Sequence, residues 1–138
     1  MAYWLFKSEP GEWSWDDQAS SSNPDGEEWD GIRNYQARNN MSEMNVGDRG
    51  FFYHSVGEKR IVGIVEVTAE AHPDSTTDDP RWECVDVKAV EPLPVPVTLA
   101  QCRETPELSA MVLVNNTRLS VQPVTENEWK IICRMGGL

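Results

Sequence analysis

The stretch Gly50-Phe-Phe-Tyr-His-Ser-Val-Gly-Glu-Lys-Arg-Ile-Val-Gly-Ile-Val-Glu-Val-Thr68 decides the fold of this chain. It contains two runs rich in β-branched and aromatic residues, Gly50 to His54 and Arg60 to Thr68, a composition typical of β-strands. The short segment Ser55 to Lys59 separates them and contains a glycine, as the loop of a β-hairpin does. The sequence therefore predicts an antiparallel hairpin near the middle of the chain.

Segments on both sides of this hairpin predict further strands and helices. Tyr3 to Phe6 and Trp82 to Val90 have strand-like compositions, whereas Ile32 to Met44 is typical of a short helix. Thr125-Glu-Asn-Glu128 is a capping-box sequence that predicts the start of a final helix. Pro92-Leu-Pro-Val-Pro96 predicts a connector, because proline has no N–H to donate within a central strand.

The order of these elements predicts an α+β fold: a small, mostly antiparallel β-barrel flanked by short helices. A length of 138 residues with 39% hydrophobic content suits a single domain over residues 1–138. Gly63 lies inside the second strand of the hairpin. It indicates either a bend of the barrel or a close approach by a ligand or another chain.

Composition excludes several classes of function. A net charge of −11 argues against broad, sequence-independent affinity for nucleic acid, which depends on basic groups at phosphates. The first ten residues lack the basic start and long apolar run of a signal peptide or membrane span, so we expect a cytoplasmic protein with no membrane partner. Cys84, Cys102 and Cys133 are widely spaced and odd in number, which indicates buried thiols rather than disulfides or a zinc site. We expect no metal and no cofactor, and the sequence carries no signal for an oligomeric state.

The segment Trp29-Asp-Gly-Ile-Arg-Asn-Tyr-Gln-Ala-Arg-Asn-Asn40 has the composition of a site for a flat polar ligand. Trp29 and Tyr35 offer faces for stacking, and Arg33 and Asn34 offer donors suited to base edges, carboxylates or phosphates. An alternative interpretation places Trp29 in the core and the arginines on a solvated face. The segment by itself leaves both open.

Together, five stretches of the chain resemble the EVE domain family, which belongs to the PUA-like superfamily. They are Tyr3-Trp-Leu-Phe-Lys-Ser-Glu-Pro10, Trp29-Asp-Gly-Ile-Arg-Asn-Tyr-Gln-Ala-Arg-Asn39, Val46-Gly-Asp48 with Phe51-Phe-Tyr-His-Ser55, Ile61-Val-Gly-Ile-Val-Glu-Val67, and Arg118-Leu-Ser-Val-Gln-Pro-Val124. The resemblance implies a PUA-like β-barrel surrounded by helices. It also implies a pocket for a modified nucleobase, notably methylated or oxidised cytosine in DNA.

The resemblance further implies which residues form that pocket: Lys7, Ser8, Trp29, Arg33, Asn34, Tyr35, His54, Ser55, Arg118, Ser120 and Gln122. Trp82 stands at the start of a predicted strand, where it suits a second aromatic wall and a core position equally well. Trp4, Trp13, Trp15 and Trp129 are expected to serve packing, because aromatic side chains supply much of the burial in small domains.

The implied roles of the pocket residues differ with their chemistry. Trp29 is expected to stack on the base, and short polar side chains to meet the base edge through hydrogen bonds. Those side chains are Ser8, Asn34 and Ser55. The cations are expected to meet phosphate or another anionic group of the ligand. They are Lys7, Arg33 and Arg118.

The sequence predicts a non-catalytic reader that binds a modified base in DNA or RNA, or a free modified nucleotide. Catalysis by a Ser–His pair is disfavoured, because His54 and Ser55 are neighbours in a predicted strand and point to opposite faces. No glycine-rich phosphate loop or nucleophile elbow occurs. Two alternatives stay open: a sensor or carrier of a small anionic metabolite, and a catalytic domain in which His54 acts as acid or base on a modified nucleotide.

Overall fold

A computed structural model describes residues 1–116 and 118–138 of the chain. In chain order its elements are β1 (Tyr3–Ser8), α1 (Trp15–Ala19), β2 (Glu27–Glu28), α2 (Tyr35–Ser42), β3 (Arg49–His54), β4 (Arg60–Pro73), β5 (Glu83–Thr98), α3 (Leu99–Glu104), α4 (Val112–Asn115), β6 (Val121–Val124) and α5 (Glu126–Met135). A single 3₁₀ turn, Pro106–Leu108, lies between α3 and α4. The predicted α+β class is confirmed.

The strands form one sheet of six, in the order β2-β5-β4-β3-β1-β6. Neighbouring strands are antiparallel except for β1 and β3, which are parallel. Within the described residues β2 and β6 remain edge strands that do not pair with each other. The mostly antiparallel sheet is thus as predicted, but a closed barrel is not confirmed.

The predicted hairpin is confirmed as β3 and β4. Phe51 pairs with Ile64 in this hairpin, and Phe52 pairs with Gly63. Successive side chains of a strand point to opposite faces, so Phe51 and Phe52 enter different hydrophobic clusters. The cluster that contains Phe52 also contains Trp29, and this cluster underlies the candidate site.

The proline-rich segment is part of β5, so the prediction of a connector was wrong. β2 pairs with β5 only at Asp86 and Val87. Beyond Val87 one side of β5 faces no other strand of the described residues, and there the missing N–H of a proline costs no ladder hydrogen bond. The register between β4 and β5 also shifts at Ile61/Gly63 and at Ile64/Val65, which accommodates Pro92 opposite Gly63.

The helices begin where their caps lie. α2 falls inside the predicted helical segment and starts at Tyr35, because the Asn34 side chain accepts a hydrogen bond from the Ala37 N–H. The capping box of Thr125 and Glu128 opens α5 as predicted. Over the two ranges that the structure describes, no helix is long and apolar enough to cross a lipid bilayer.

Gly63 fits neither of the two alternatives as the sequence posed them: a register shift takes the place of a barrel bend, and a side chain of the same chain takes the place of a ligand or another chain. The β4–β5 register is irregular beside it, and the ring of Trp15 packs directly over it. A Cβ atom on Gly63 would lie 2.5 Å from Cζ3 of Trp15, closer than real contacts allow. The close approach therefore comes from a side chain of the same chain, at the start of α1.

We expect Gly63→Ala to lower the free energy of unfolding by about 1–3 kcal/mol, because the new methyl group displaces the Trp15 ring. Denaturant unfolding measures this directly. Gly11→Ala is the matched control, since, chain neighbours aside, no atom of the described residues lies within 4 Å of a Cβ atom at Gly11. Equal unfolding free energies for the two variants would show that the packing of Trp15 does not require a residue without a Cβ atom at position 63.

Candidate ligand-binding cleft

A cleft of about 580 Å³ opens where β1 and β3 end. Its volume lies within the range of about 300–1,000 Å³ that is typical of small-ligand sites. Six of the twelve residues predicted for the site line it: Lys7, Ser8, Trp29, Ser55, Arg118 and Ser120. The cleft is therefore the place where these distant parts of the sequence meet.

The sheet topology explains why they meet. β1 and β3 run in the same direction, with Ser8 paired to His54, so their carboxyl ends lie at one edge of the sheet. The Ser55 N–H donates to the Ser8 carbonyl at 3.0 Å, which holds the two strand ends together. On the other side of β1, the Lys7 N–H donates to the Ser120 carbonyl at 2.8 Å.

Trp29 forms a buried wall of the cleft. It is 6% exposed and makes T-shaped contacts with Phe6 and Phe52, with ring centroids 5.1 and 5.5 Å away. Its backbone N–H donates to the Val85 carbonyl at 2.8 Å. Trp29 thus packs in the core, as one interpretation expects, and also lines the cleft; its stacking on a ligand stays a prediction.

Trp13 is a second aromatic side chain in the cleft lining, although we expected it to serve packing. Its Nε1 donates to Oε1 of Gln18 at 2.9 Å, and the buried Gln18 donates onward to the Val87 carbonyl at 3.2 Å. The Ser8 hydroxyl donates to the Trp13 carbonyl at 2.5 Å. These bonds fix the indole beside Ser8.

The lining of the cleft is rich in acidic residues, which the sequence did not reveal. Two basic residues, Lys7 and Arg118, share the lining with five acidic residues: Glu9, Glu12, Glu27, Glu28 and Asp30. Burial, helped by the nearby carboxylates of Asp74 and Glu28, raises the pKa of Asp30. Burial lowers the pKa of Lys7. Carboxylates accept hydrogen bonds from amino groups, so this lining suits a ligand that carries N–H donors and no negative charge.

Three of the other predicted residues use their polar groups within the protein. Asn34 caps α2. Gln122 is buried and donates from Nε2 to the Leu119 carbonyl at 2.8 Å. Both ring nitrogens of the buried His54 are engaged: Nε2 accepts from the Trp15 N–H at 3.0 Å, and Nδ1 lies 3.1 Å from Oε1 of Glu58.

The remaining three lie outside the cleft lining, in a separate arginine–aromatic group. The rings of Tyr35 and Trp82 lie 5.1 Å apart with a tilt of 31°. The guanidinium of Arg33 lies 5.5 Å from the Trp82 centroid, and that of Arg38 lies 4.9 Å from the Tyr35 centroid. Arg81 donates to the Tyr35 hydroxyl at 3.2 Å.

Asp74 ties this group to the cleft. Its buried carboxylate accepts from the Gly31 N–H at 2.9 Å, from Arg33 Nη1 at 3.2 Å and from the Thr76 N–H at 2.8 Å. Burial alone would raise the pKa of Asp74, but the hydrogen bonds from Thr76, Gly31 and Arg33 outweigh it and hold that pKa at about 2. Gly31 lines the cleft, so Asp74 sets the position of the backbone that follows Asp30.

One group of metal-ligand type lies at the β2 edge of the sheet. The ligand atoms of Glu28, His72 and Cys84 lie within 4.8 Å of one another. The Cys84 thiol donates to Glu28 Oε1 at 3.4 Å, and His72 Nε2 lies 2.7 Å from Asp86 Oδ1. Burial, with the Glu28 hydrogen bond, raises the pKa of Cys84 far above its ordinary value, which favours a neutral thiol. Structural zinc sites use four ligands, and the absence of a metal stays a prediction.

These features define a small α+β domain with a cleft whose lining combines indole side chains with acidic residues. Residues 2–135 match the family model described as the EVE domain. The chain belongs to the EVE domain family.

Relatives and solved structures agree with this assignment. Thymocyte nuclear protein 1 of Homo sapiens is 35% identical over 127 residues, which cover 75% of this chain and 56% of that protein, so the match spans just over half of the relative's length. The crystal structure of a protein from Agrobacterium tumefaciens is 56% identical, with a TM-score of 0.97 over 100% of this chain and 94% of that one. Human THYN1 protein in complex with 5-methylcytosine-containing DNA is 32% identical, with a TM-score of 0.91 over 100% and 99% of the two chains.

We expect Asp74→Asn to lower the free energy of unfolding by about 2 kcal/mol near neutral pH, because the amide nitrogen would face the N–H groups of Gly31 and Arg33. The folded-state pKa of Asp74 lies below its ordinary value of 3.8, so the carboxylate stabilises the fold above that value and loses this effect as the pH falls towards about 2. The difference between wild type and variant should shrink over that range. Denaturant unfolding at several pH values measures it.

Asp78→Asn removes the same charge from an exposed position in the same loop, and serves as the control. It should change the unfolding free energy by less than about 0.5 kcal/mol. A pH-independent difference for Asp74→Asn would contradict the assignment.

Proposed function

We propose that this protein is a non-catalytic reader that holds a modified nucleobase, methylated or oxidised cytosine, in the cleft. The observation that carries the proposal is the cleft itself, whose lining contains the buried Trp29 and five acidic residues. The likeness to human THYN1 protein, solved with 5-methylcytosine-containing DNA, supports it.

Energetics make base capture reasonable in such a cleft. Extracting a base from its stack costs a few kcal/mol, and stacking on an aromatic side chain returns about 1–3 kcal/mol per base. Hydrogen bonds to the base edge must supply the rest. Cytosine presents an exocyclic N4 amino group, and carboxylates such as that of Asp30 are its natural acceptors.

The same charges disfavour a small anionic metabolite as the ligand. The lining has five carboxylates against two cations, and the whole chain has a net charge of −11. A negative ligand group in the cleft would meet like charges at close range, which is destabilising. A neutral base with amino donors avoids this repulsion.

The hydroxyl and imidazole groups near the cleft support binding rather than catalysis. His54 has both ring nitrogens engaged, by the Trp15 N–H and by Glu58. The Ser8 hydroxyl donates to the Trp13 carbonyl. In these bonds neither group acts as the activated nucleophile or free base that a reaction requires.

The proposal predicts selective binding to one modified base. Fluorescence anisotropy should be measured with matched oligonucleotides carrying cytosine, 5-methylcytosine, 5-hydroxymethylcytosine, adenine or N6-methyladenine, as single and double strands of DNA and RNA. We expect one modified cytosine to bind at least about tenfold more tightly than cytosine in the same context. Equal affinities for every member of the panel, with the fold intact, would refute a base reader.

Asp30→Asn should weaken binding of that preferred oligonucleotide by at least about tenfold, because hydrogen bonds to charged groups contribute about 1.5–3 kcal/mol. Asp78→Asn again makes the same change of charge, but outside the cleft lining. Equal binding by the two variants would show that Asp30→Asn acts only by reducing the negative charge of the protein, and would contradict a hydrogen bond from the base to Asp30. Thermal melting of both variants checks that the fold is retained.

A further inference from the structure

A second, smaller cavity of about 280 Å³ lies beside the cleft. The two share Lys7 and Ser55 in their linings. Its other charged residues are Lys59 and Arg103, and we call it the basic cavity. Pockets for drug-sized ligands have volumes of about 300 Å³ or more, and this cavity is slightly smaller. It therefore suits a small chemical group rather than a second base.

The charges of the two cavities are opposite. Among the residues that the structure describes, the basic cavity is lined by the three basic residues Lys7, Lys59 and Arg103 and by no acidic residue, whereas five acidic residues line the cleft. In a chain with a net charge of −11, such a separation creates one local place where an anion is attracted. An anionic group attached to a ligand in the cleft would be repelled by the cleft lining and drawn to the basic cavity.

The fold fixes the backbone that carries Lys59 and Arg103. Lys59 adopts a left-handed backbone conformation, with a φ of 48°, and its carbonyl accepts the Leu99 N–H at 2.9 Å. This bond joins the β3–β4 loop to the start of α3. Arg103 follows Leu99 by four residues on α3, so the two side chains share one face of that helix.

The walls of the basic cavity strengthen its attraction for an anion. Its uncharged lining includes the buried residues Tyr53, Leu99 and Leu113, which carry an aromatic ring and two aliphatic side chains. The Lys7 ammonium lies 5.8 Å from the centroid of the Tyr53 ring. Apolar walls lower the local dielectric, so each cation attracts an anion more strongly there than on an open surface.

We propose that the basic cavity binds a phosphate group attached to the nucleotide whose base occupies the cleft. This inference rests on the proposed function of the cleft, and it narrows the ligand from a free base or nucleoside to a nucleotide or a strand. Lys59 and Arg103 contact the phosphate, while Lys7 and Ser55 lie between it and the base. Phosphate contacts position a ligand and base contacts specify it, so the two cavities divide these tasks.

The test compares ligands that differ only in phosphate: 5-methylcytidine, its 5′- and 3′-monophosphates, and a trinucleotide with the modified cytidine in the middle. Isothermal titration calorimetry should be run on the wild type, on the double variant Lys59→Gln/Arg103→Gln, and on the control Lys130→Gln/Arg134→Gln. The control makes the same change of charge on α5, away from both cavities. Thermal melting confirms that each variant is folded.

We expect the wild type and the control to bind at least one phosphate-bearing ligand about tenfold more tightly than the nucleoside. The Lys59→Gln/Arg103→Gln variant should lose this preference and keep its affinity for the nucleoside. For the trinucleotide, the slope of log affinity against log salt concentration should be smaller in this variant by about 0.7. That is the value for one phosphate contact on a single strand. A phosphate preference that survives in this variant, with nucleoside binding intact, would overturn the proposal.

A second arm separates failure of this proposal from failure of the base reader. Inorganic phosphate is titrated against ¹⁵N-labelled protein, and amide chemical shifts are followed in the wild type and in the Lys59→Gln/Arg103→Gln variant. Phosphate-dependent shifts at Ser55, Lys59 and Arg103 that disappear in the variant would support the anion site even if no base bound to the cleft. Their absence from the wild type would overturn the basic cavity as a phosphate site.

Discussion

The parallel pairing of β1 with β3 is the constraint on which the rest of the site depends. Both strands end at the same edge of the sheet, and ligand crevices form outside the carboxyl ends of parallel strands. β6 runs antiparallel to β1, with Phe6 opposite Val121, so the residues that precede β6 reach the same edge. Arg118 and Ser120 thereby join Ser8 and Ser55, although more than a hundred residues separate the ends of this set.

The negative charge of the protein is more compatible with binding of a single base than with binding along the phosphate backbone of a duplex. Affinity for the nucleic-acid backbone comes from basic groups at phosphates. A chain with a net charge of −11 therefore has weak overall affinity for that backbone. Carboxylates concentrate around the cleft, where they suit amino groups, and cations concentrate in the basic cavity. Selectivity would then depend on the interior of the cleft, while contact with the strand would remain local.

Local patterns made part of this molecule predictable from sequence. The β3–β4 hairpin, the capped α5 and the core of α2 each depend on neighbouring residues, so their signals are complete within short segments. The open sheet and the strand through Pro92 depend on which strands pair, which is a non-local property. The resemblance to the family named six of the residues that line the cleft. Nothing in the sequence distinguished Asp30 from the other 22 acidic residues. Trp13 could not be assigned to the cleft either, because the helix that follows it has only five residues and is too short to show a hydrophobic period.

The most direct measurement is of contacts between the ligand base and the cleft in solution. An oligonucleotide with a ¹³C-labelled methyl group on one 5-methylcytosine can be titrated with the protein, and intermolecular nuclear Overhauser effects from that methyl group recorded. We expect contacts to the indole protons of Trp29 or Trp13, with a ring-current shift of the methyl resonance. Binding with contacts only to Tyr35 and Trp82, in the arginine–aromatic group outside the cleft, would contradict it.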